Sequence, residues 1–280
     1  MENVDIFERV RTEYYNLTAS ERKVADYILH DAEKVQFMSI TELANACKVA
    51  DSTVSRFCRS LEQSGFGGFK LELAKSIATL GEQKTEACDD TILGRSRKTG
   101  LLMQRAIEET IQLADEETVK QAVSLMENAD KVLCLGSGGA IITAWQFAHL
   151  FSTICNKCTV ADETHLQYMA LASLTPRDVL IVISHSGATR GGIEMLEQAK
   201  SYGINTILIT HFPQSPAAEY ADVILRTGFD ENPLEIASLP ARVSAIMVTD
   251  MLFREYYNRN KTQCEAYRRK VAEAVATQHV

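Results

Sequence analysis

Val179-Leu-Ile-Val-Ile-Ser-His-Ser-Gly-Ala-Thr-Arg-Gly-Gly192 runs from an unbroken apolar segment into a turn rich in hydroxyls and glycine. The apolar half reads as a strand buried on both faces, and the second half as a turn that opens a helix. Ser184, Ser186 and Thr189 put three hydroxyls beside the free N–H groups of that helix start, where the helix dipole favours an anion. Gly187 lets the backbone come close to a ligand, and His185, between the two serines, offers mainly its backbone N–H. A helix cap needs one hydroxyl. Three within six residues, with a glycine, point instead to a phosphate-binding turn.

Working outward, strands are expected at Val132–Leu135, Cys158–Ala161, Val179–Ser184, Thr206–Thr210 and Val223–Arg226, alternating with helical stretches. That alternation predicts an α/β domain, a five-stranded parallel sheet flanked by helices, with the 179–183 segment at its centre. The glycine turn after the first strand, Gly136-Ser137-Gly138-Gly139-Ala140, is a second candidate phosphate contact. It does not complete a dinucleotide fingerprint, because Ile141 stands where Gly or Ala is required. A long helix over Ser238–Tyr257 carries Ile246, Met247, Met251, Leu252 and Phe253, a face for the sheet or for a second subunit.

The first 80 residues read as all-α. Thr18-Ala-Ser-Glu21 and Ser39-Ile-Thr-Glu42 are capping-box patterns, each followed by apolar residues at helical spacing. From Met38 to Leu61 the layout is a helix-turn-helix: a helix to Cys47, a turn at Lys48-Val-Ala50, and a second helix from Asp51 with Val54, Phe57, Cys58 and Leu61 inward. Its other face carries Ser52, Thr53, Ser55, Arg56 and Arg59, short hydrogen-bonding groups followed by cations, which suits base edges and phosphates. Lys48, Lys70 and Lys75 add local positive charge. Gly65-Phe-Gly-Gly-Phe69 is expected to break the helix before another at Lys70–Ile77. Residues 81–105, polar and short of apolar periodicity, read as an interdomain linker, and 261–280 as a C-terminal tail.

Two resemblances span nearly the whole chain. Ser184, Ser186, Gly187 and Thr189 match the Ser-x-Ser-Gly-x-Thr phosphate signature of SIS (sugar isomerase) domains, and Lys131–Ala140 and Thr210–Asp222 resemble that family's first strand and fourth-strand region. Ser39-Ile-Thr-Glu-Leu-Ala44, Thr53-Val-Ser-Arg-Phe-Cys-Arg59 and Gly65-Phe-Gly-Gly-Phe69 resemble the N-terminal module of RpiR-family transcription regulators, which place it before a SIS domain. The resemblance implies a helix-turn-helix domain over 1–80 and a SIS phosphosugar-binding domain over 106–260. It further implies a regulator of sugar or amino-sugar metabolism whose DNA affinity follows a bound phosphorylated sugar. Operator DNA, a phosphosugar effector and a second copy of the chain, as homodimer or homotetramer, are its implied partners. His165, in Asp162-Glu-Thr-His-Leu-Gln167, with Glu235 and Ser238, would add sugar contacts. Two departures stand out. Ala140 replaces a serine usual in the SIS glycine turn, leaving Ser137 to compensate, and Ala50 replaces the usual Ser or Thr before the recognition helix, leaving Asp51 or Ser52 to cap it.

SIS folds also include isomerases, the alternative function. Isomerisation needs a base near the sugar, and Glu163, His165, His185 and Glu235 are the candidates, none in a catalytic pattern. No catalytic residue, metal or cofactor is therefore expected. A net charge of −8 and a pI near 5.4 exclude a surface coated in basic residues. No membrane-length apolar run and no signal-peptide pattern appear, so the expected compartment is the cytoplasm. Seven scattered cysteines fit reduced thiols without a structural disulfide. Cys155-Asn-Lys-Cys158 has redox or zinc half-site spacing, but without a second pair it reads as two small residues at a helix-to-strand handover.

Overall fold

The computed structural model describes residues 6–81, 91–229 and 238–276, which divide into two compact units: 6–81, 91–100 and Ser238 in the first, 101–229 and 239–276 in the second. In the first, helices α1 (Ile6–Glu13), α2 (Ala19–His30), α3 (Ala32–Val35), α4 (Ile40–Cys47), α5 (Asp51–Ser60) and α6 (Phe66–Gly81) surround one apolar core. Both capping boxes form: the Thr18 hydroxyl accepts from the Glu21 N–H at 3.4 Å and the Ser39 hydroxyl from the Glu42 N–H at 3.1 Å. Each glutamate in turn accepts from the cap's own N–H, at 2.9 and 2.8 Å. These reciprocal bonds fix where α2 and α4 begin. Val54, Phe57, Cys58 and Leu61 point inward as the periodicity requires, and Phe57 meets Phe69 edge to face at 5.7 Å between ring centroids. The 65–69 segment breaks the chain for a shorter span than expected. α6 starts at Phe66, so Gly67 and Gly68 fall within its first turn, where Gly68 lies against the Ser64 side chain.

The second unit contains β1 (Val132–Gly136), β2 (Cys158–Val160), β3 (Val179–Ile183), β4 (Asn205–Thr210) and β5 (Val223–Arg226), all parallel, in the order β2-β1-β3-β4-β5. β3 is central and fully buried, as its unbroken apolar run requires. Its side chains alternate: Val179, Ile181 and Ile183 join one core, Leu180 and Val182 the other. α8 (Glu116–Asn128), α9 (Ala140–Ser152) and α12 (Leu239–Arg259) cover the first face, and α10 (Thr164–Ala172) and α11 (Arg190–Ser201) the second. Burying a side chain such as Ile181 or Leu180 contributes about 1.5–3 kcal/mol. Leu252 of α12 is core and Phe253 packs edge to face on Phe151, whereas Ile246, Met247 and Met251 of the same helix are half-buried. α13 (Lys261–Ala276) follows, burying Cys264.

A second segment departs further from the sequence reading. Residues 92–113 form a single helix, α7 (Ile92–Leu113), in place of a linker through 105. Thr91 accepts from the Gly94 N–H at 3.0 Å, an N-cap, and Arg105–Glu109 and Gln104–Glu108 pair one turn apart. Only Ala106 and Thr110 are buried along it, which is why apolar periodicity is weak. Local polar pairing, invisible to a hydrophobic pattern, supplies the helix.

Candidate functional site

Gly136 at the end of β1 stands opposite Ile183 at the end of β3, so the Gly136–Gly139 turn and the Ser184–Thr189 loop leave the same sheet edge side by side. β1 leads outward to β2 while β3 leads the other way to β4 and β5. Loops departing in opposite directions open a crevice, the place where parallel α/β sheets hold ligands.

The backbone of this edge is glycine-dependent at defined points. Gly187 has φ +57°, and a Cβ there would run into the Ser215 side chain and lie 3.3 Å from the Thr210 hydroxyl. Gly138 also has φ +57°, and a Cβ on Gly136 would come within 2.7 Å of the Ala140 carbonyl carbon. The hydroxyls divide by role. Ser186 accepts from the Ala188 N–H at 3.2 Å. Thr189 holds the N-cap position of α11 in extended conformation yet makes no side-chain cap bond. Ser184 is 7% exposed, and its hydroxyl has no hydrogen-bond partner among the described residues. A capped helix start explains neither Ser184 nor Thr189. An unsatisfied buried hydroxyl costs about 1–3 kcal/mol, a cost that a site built to bind accepts. Ser137 is exposed, and its carbonyl accepts from the Ala140 N–H at 3.2 Å.

Residues that the sequence reading did not single out hold this edge in place. The Thr210 hydroxyl donates to the His185 carbonyl at 3.0 Å, and the Ala217 N–H donates to the Gly187 carbonyl at 2.9 Å. Gln167 is buried and donates to the carbonyls of Gly136 and Ala161, each at 3.1 Å, tying the first turn to the end of β2. The only signal for Thr210 was its position, a hydroxyl at a strand end; Gln167 lies in α10 and carried none. The His185 ring turns away to stack on His211, with centroids 5.3 Å apart and planes 13° from parallel.

In the helical unit, Ser52, Arg56 and Arg59 are exposed on α5, Ser55 is half-buried, and Lys48 is exposed in the preceding turn. Lys70 lies over the Phe66 ring at 5.5 Å, and Lys75 pairs with Glu72 at 2.8 Å. The exposed cations of α5 thus form one face opposite its buried Val54, Phe57 and Cys58.

A family model described as helix-turn-helix domain, rpiR family, matches residues 4–80, and the SIS domain model matches residues 125–254. An HTH-type transcriptional regulator of Caldanaerobacter subterraneus is 32% identical over 255 residues, covering 89% of each chain. The chain belongs to the RpiR family of helix-turn-helix regulators. The HTH-type transcriptional regulator HexR of Escherichia coli is 26% identical over 97% of this chain and 94% of its own. In fold, the chain is similar to the Vibrio vulnificus NanR protein, solved in complex with ManNAc-6P, with TM-score 0.88 at 23% identity over 98% and 100% of the two chains.

The RpiR-family chain is a DNA-binding transcriptional regulator with a SIS domain, and two of its expected details need correction. Thr53 is buried and its hydroxyl accepts from Arg56 at 3.3 Å, because it falls on the inward edge of α5; it braces Arg56 instead of facing a groove. Neither Asp51 nor Ser52 caps α5: Ala50 occupies the cap with no side-chain bond, and the Asp51 carboxylate accepts from the Thr41 hydroxyl at 2.8 Å. Asp51 therefore locks the turn between the two helices of this RpiR-family reading head. Lys48 closes α4 in the left-handed region, φ 55° and ψ 49°, where a non-glycine residue is strained. Lys48→Gly is expected to stabilise the domain by about 1 kcal/mol in denaturant unfolding while weakening DNA binding, a pair of opposite signs that separates folding from phosphate contact.

The isomerase candidates fare differently from one another. Glu163 caps α10, accepting from the Leu166 N–H at 3.0 Å, and the backbone N–H groups of His165 and Leu166 hold its carboxyl below the usual range. A carboxylate so held is a weak base. His165 is exposed at the first turn of α10, Ser238 is buried just before α12, and Glu235 lies outside the described residues. Among the described residues no helix is long and apolar enough to cross a membrane.

Proposed function

We propose that the SIS unit of this RpiR-family regulator binds a phosphorylated sugar at the β1–β3 edge, and that binding alters its affinity for operator DNA. The observation that carries this reading is the Ser184–Thr189 loop, with its buried unsatisfied Ser184 hydroxyl, uncommitted Thr189 cap and obligatory Gly187. The phosphate sits on the N–H groups of α11 with Ser184, Ser186 and Thr189 around it, while the 136–139 turn receives the sugar side. NanR in complex with ManNAc-6P supports an amino-sugar phosphate as the ligand class. The protein works as a homodimer or homotetramer in the cytoplasm, two reading heads matching a palindromic operator. An effector acts only through unequal affinity for two arrangements of the protein.

Thermal unfolding against sugar phosphates, amino-sugar phosphates and their unphosphorylated parents tests this. A ligand at a hundred times its dissociation constant adds about 2.7 kcal/mol to stability. We expect a shift with a phosphosugar, none with its parent sugar, and none in Ser184→Ala. No shift across the panel sinks the sensor. Of the four candidate bases of the isomerase alternative, Glu163 is held as a helix cap; turnover of a phosphosugar that falls with His165→Ala would favour that alternative.

A further inference from the structure

The Cys155 and Cys158 sulfurs lie 4.0 Å apart at the junction of α9 and β2. Cys158 is fixed: it opens β2 in register with Val132. Cys155 sits in the turn after α9, its N–H donating to the Phe151 carbonyl at 2.9 Å. Both are half-buried, whereas Cys47, Cys58, Cys134 and Cys264 are buried. Between the pair, the Lys157 ammonium is held by three carbonyls at the end of α8, those of Met126 at 3.1 Å and of Glu127 and Ala129 at 2.9 Å each. Those bonds use the lysine to close α8 and leave a fixed positive charge beside the thiols.

The two thiols are unequal. The hydrogen bond from Cys158 pushes the Cys155 thiol down to about 6, with Lys157 adding to it, and the same bond together with burial pushes Cys158 up. Burial alone pushes Cys47 up to about 11 and Cys58 up to about 12. Of the described cysteines, Cys155 is thus the one biased toward the thiolate, and the buried ones are biased away from it. Among the described residues no group of three or more His, Cys, Asp or Glu is placed to hold a metal.

We propose that Cys155 and Cys158 are a reversible oxidation site for hydroperoxides, with Cys155 as the attacking thiol and Cys158 as the resolving one. The Cys155 thiolate attacks the distal peroxide oxygen, the O–O bond breaks and the leaving oxide takes up a proton, giving a sulfenic acid. Cys158 then attacks that sulfur, the S–O bond breaks, and water leaves carrying the Cys158 proton. In sum, two thiols and one hydrogen peroxide give one disulfide and two waters. From 4.0 Å the sulfurs must close by about 2 Å to bond.

Peptide mapping of the full-length protein after hydrogen peroxide, with free thiols blocked under denaturing conditions, tests the proposal. We expect a Cys155–Cys158 linked peptide that a dithiol reductant removes. In the reduced protein at pH 7, iodoacetamide should alkylate Cys155 at least about 10-fold faster than any buried cysteine. Cys158→Ser should leave a Cys155 sulfenic acid trapped by dimedone, and Cys155→Ser should leave Cys158 unoxidised. The proposal is overturned if both thiols remain free after peroxide, if Cys155 links instead to Cys88, or if Cys158 reacts first. The map on the unsubstituted protein decides this even if a variant fails to fold.

Discussion

Gly187→Ala is expected to abolish phosphosugar-induced stabilisation and to destabilise the SIS unit by about 2–5 kcal/mol. Two independent costs combine. A non-glycine residue at φ +57° is disfavoured by about 1–2 kcal/mol. The new Cβ also overlaps the Ser215 side chain, and forcing an extra carbon into a packed site typically costs about 1–3 kcal/mol. Relief requires the loop to back away from Ser215, but the Ala217 N–H grips the Gly187 carbonyl at 2.9 Å from the same segment. The strain therefore falls on Ser186 and Ser184, the groups proposed to receive the phosphate. Gly191→Ala is the matched control. It lies in α11, has open space around its Cβ position, and should be neutral or stabilising by up to about 1 kcal/mol. Urea unfolding gives the stability change, and thermal shift with the responsive phosphosugar gives the binding change. A Gly187→Ala protein as stable as its parent, with its ligand shift intact, would remove the loop from the site.

Much of this architecture was legible because it rests on patterns that burial imposes. An unbroken apolar run such as 179–183 has few alternatives to a central parallel strand, and the strand boundaries fall within a residue or so of those the pattern predicts. Ser-x-x-Glu or Thr-x-x-Glu, at 39–42 and 18–21, sets two helix starts because both bonds of each box are local. What escaped the sequence is non-local or polar. α7 is held by i,i+4 pairs and one buried threonine, whose hydroxyl takes the Gly228 N–H at 3.0 Å across 118 residues of chain. Thr53 has the composition of a groove-facing group, but a helix step places it on the inward edge. Gln167 of α10, Thr210 at the end of β4 and Ser215 beyond it shape this sheet edge only because parallel pairing brings the strand ends beside them together, which no window of sequence contains. The Cys155–Cys158 pair looked inert by spacing alone; its asymmetry comes first from the hydrogen bond between the two sulfurs and from burial, which only the folded junction of α9 and β2 sets.

The second large effect is on DNA. Arg56→Ala combined with Arg59→Ala should weaken operator binding by about 100-fold or more at moderate salt, leaving the phosphosugar thermal shift unchanged. Both side chains are exposed on α5, on the side opposite its buried Val54, Phe57 and Cys58, so stability should change by less than about 1 kcal/mol. Within the helical unit the double substitution removes the 3.3 Å hydrogen bond that Arg56 donates to the Thr53 hydroxyl. If they hold phosphates, the slope of log affinity against log salt falls by about 0.9 for each phosphate released, and the weakening is uniform across operator variants. If either reads a base, affinity becomes less sensitive to substitution at one operator position, a cost of about 1–3 kcal/mol confined to that position. Lys75→Ala serves as the control, since its ammonium already pairs with Glu72 at 2.8 Å; it should change affinity little. Unchanged affinity in the double variant, with normal folding, would mean that α5 is not the recognition helix, since Arg56 and Arg59 are the two cations that its exposed face carries.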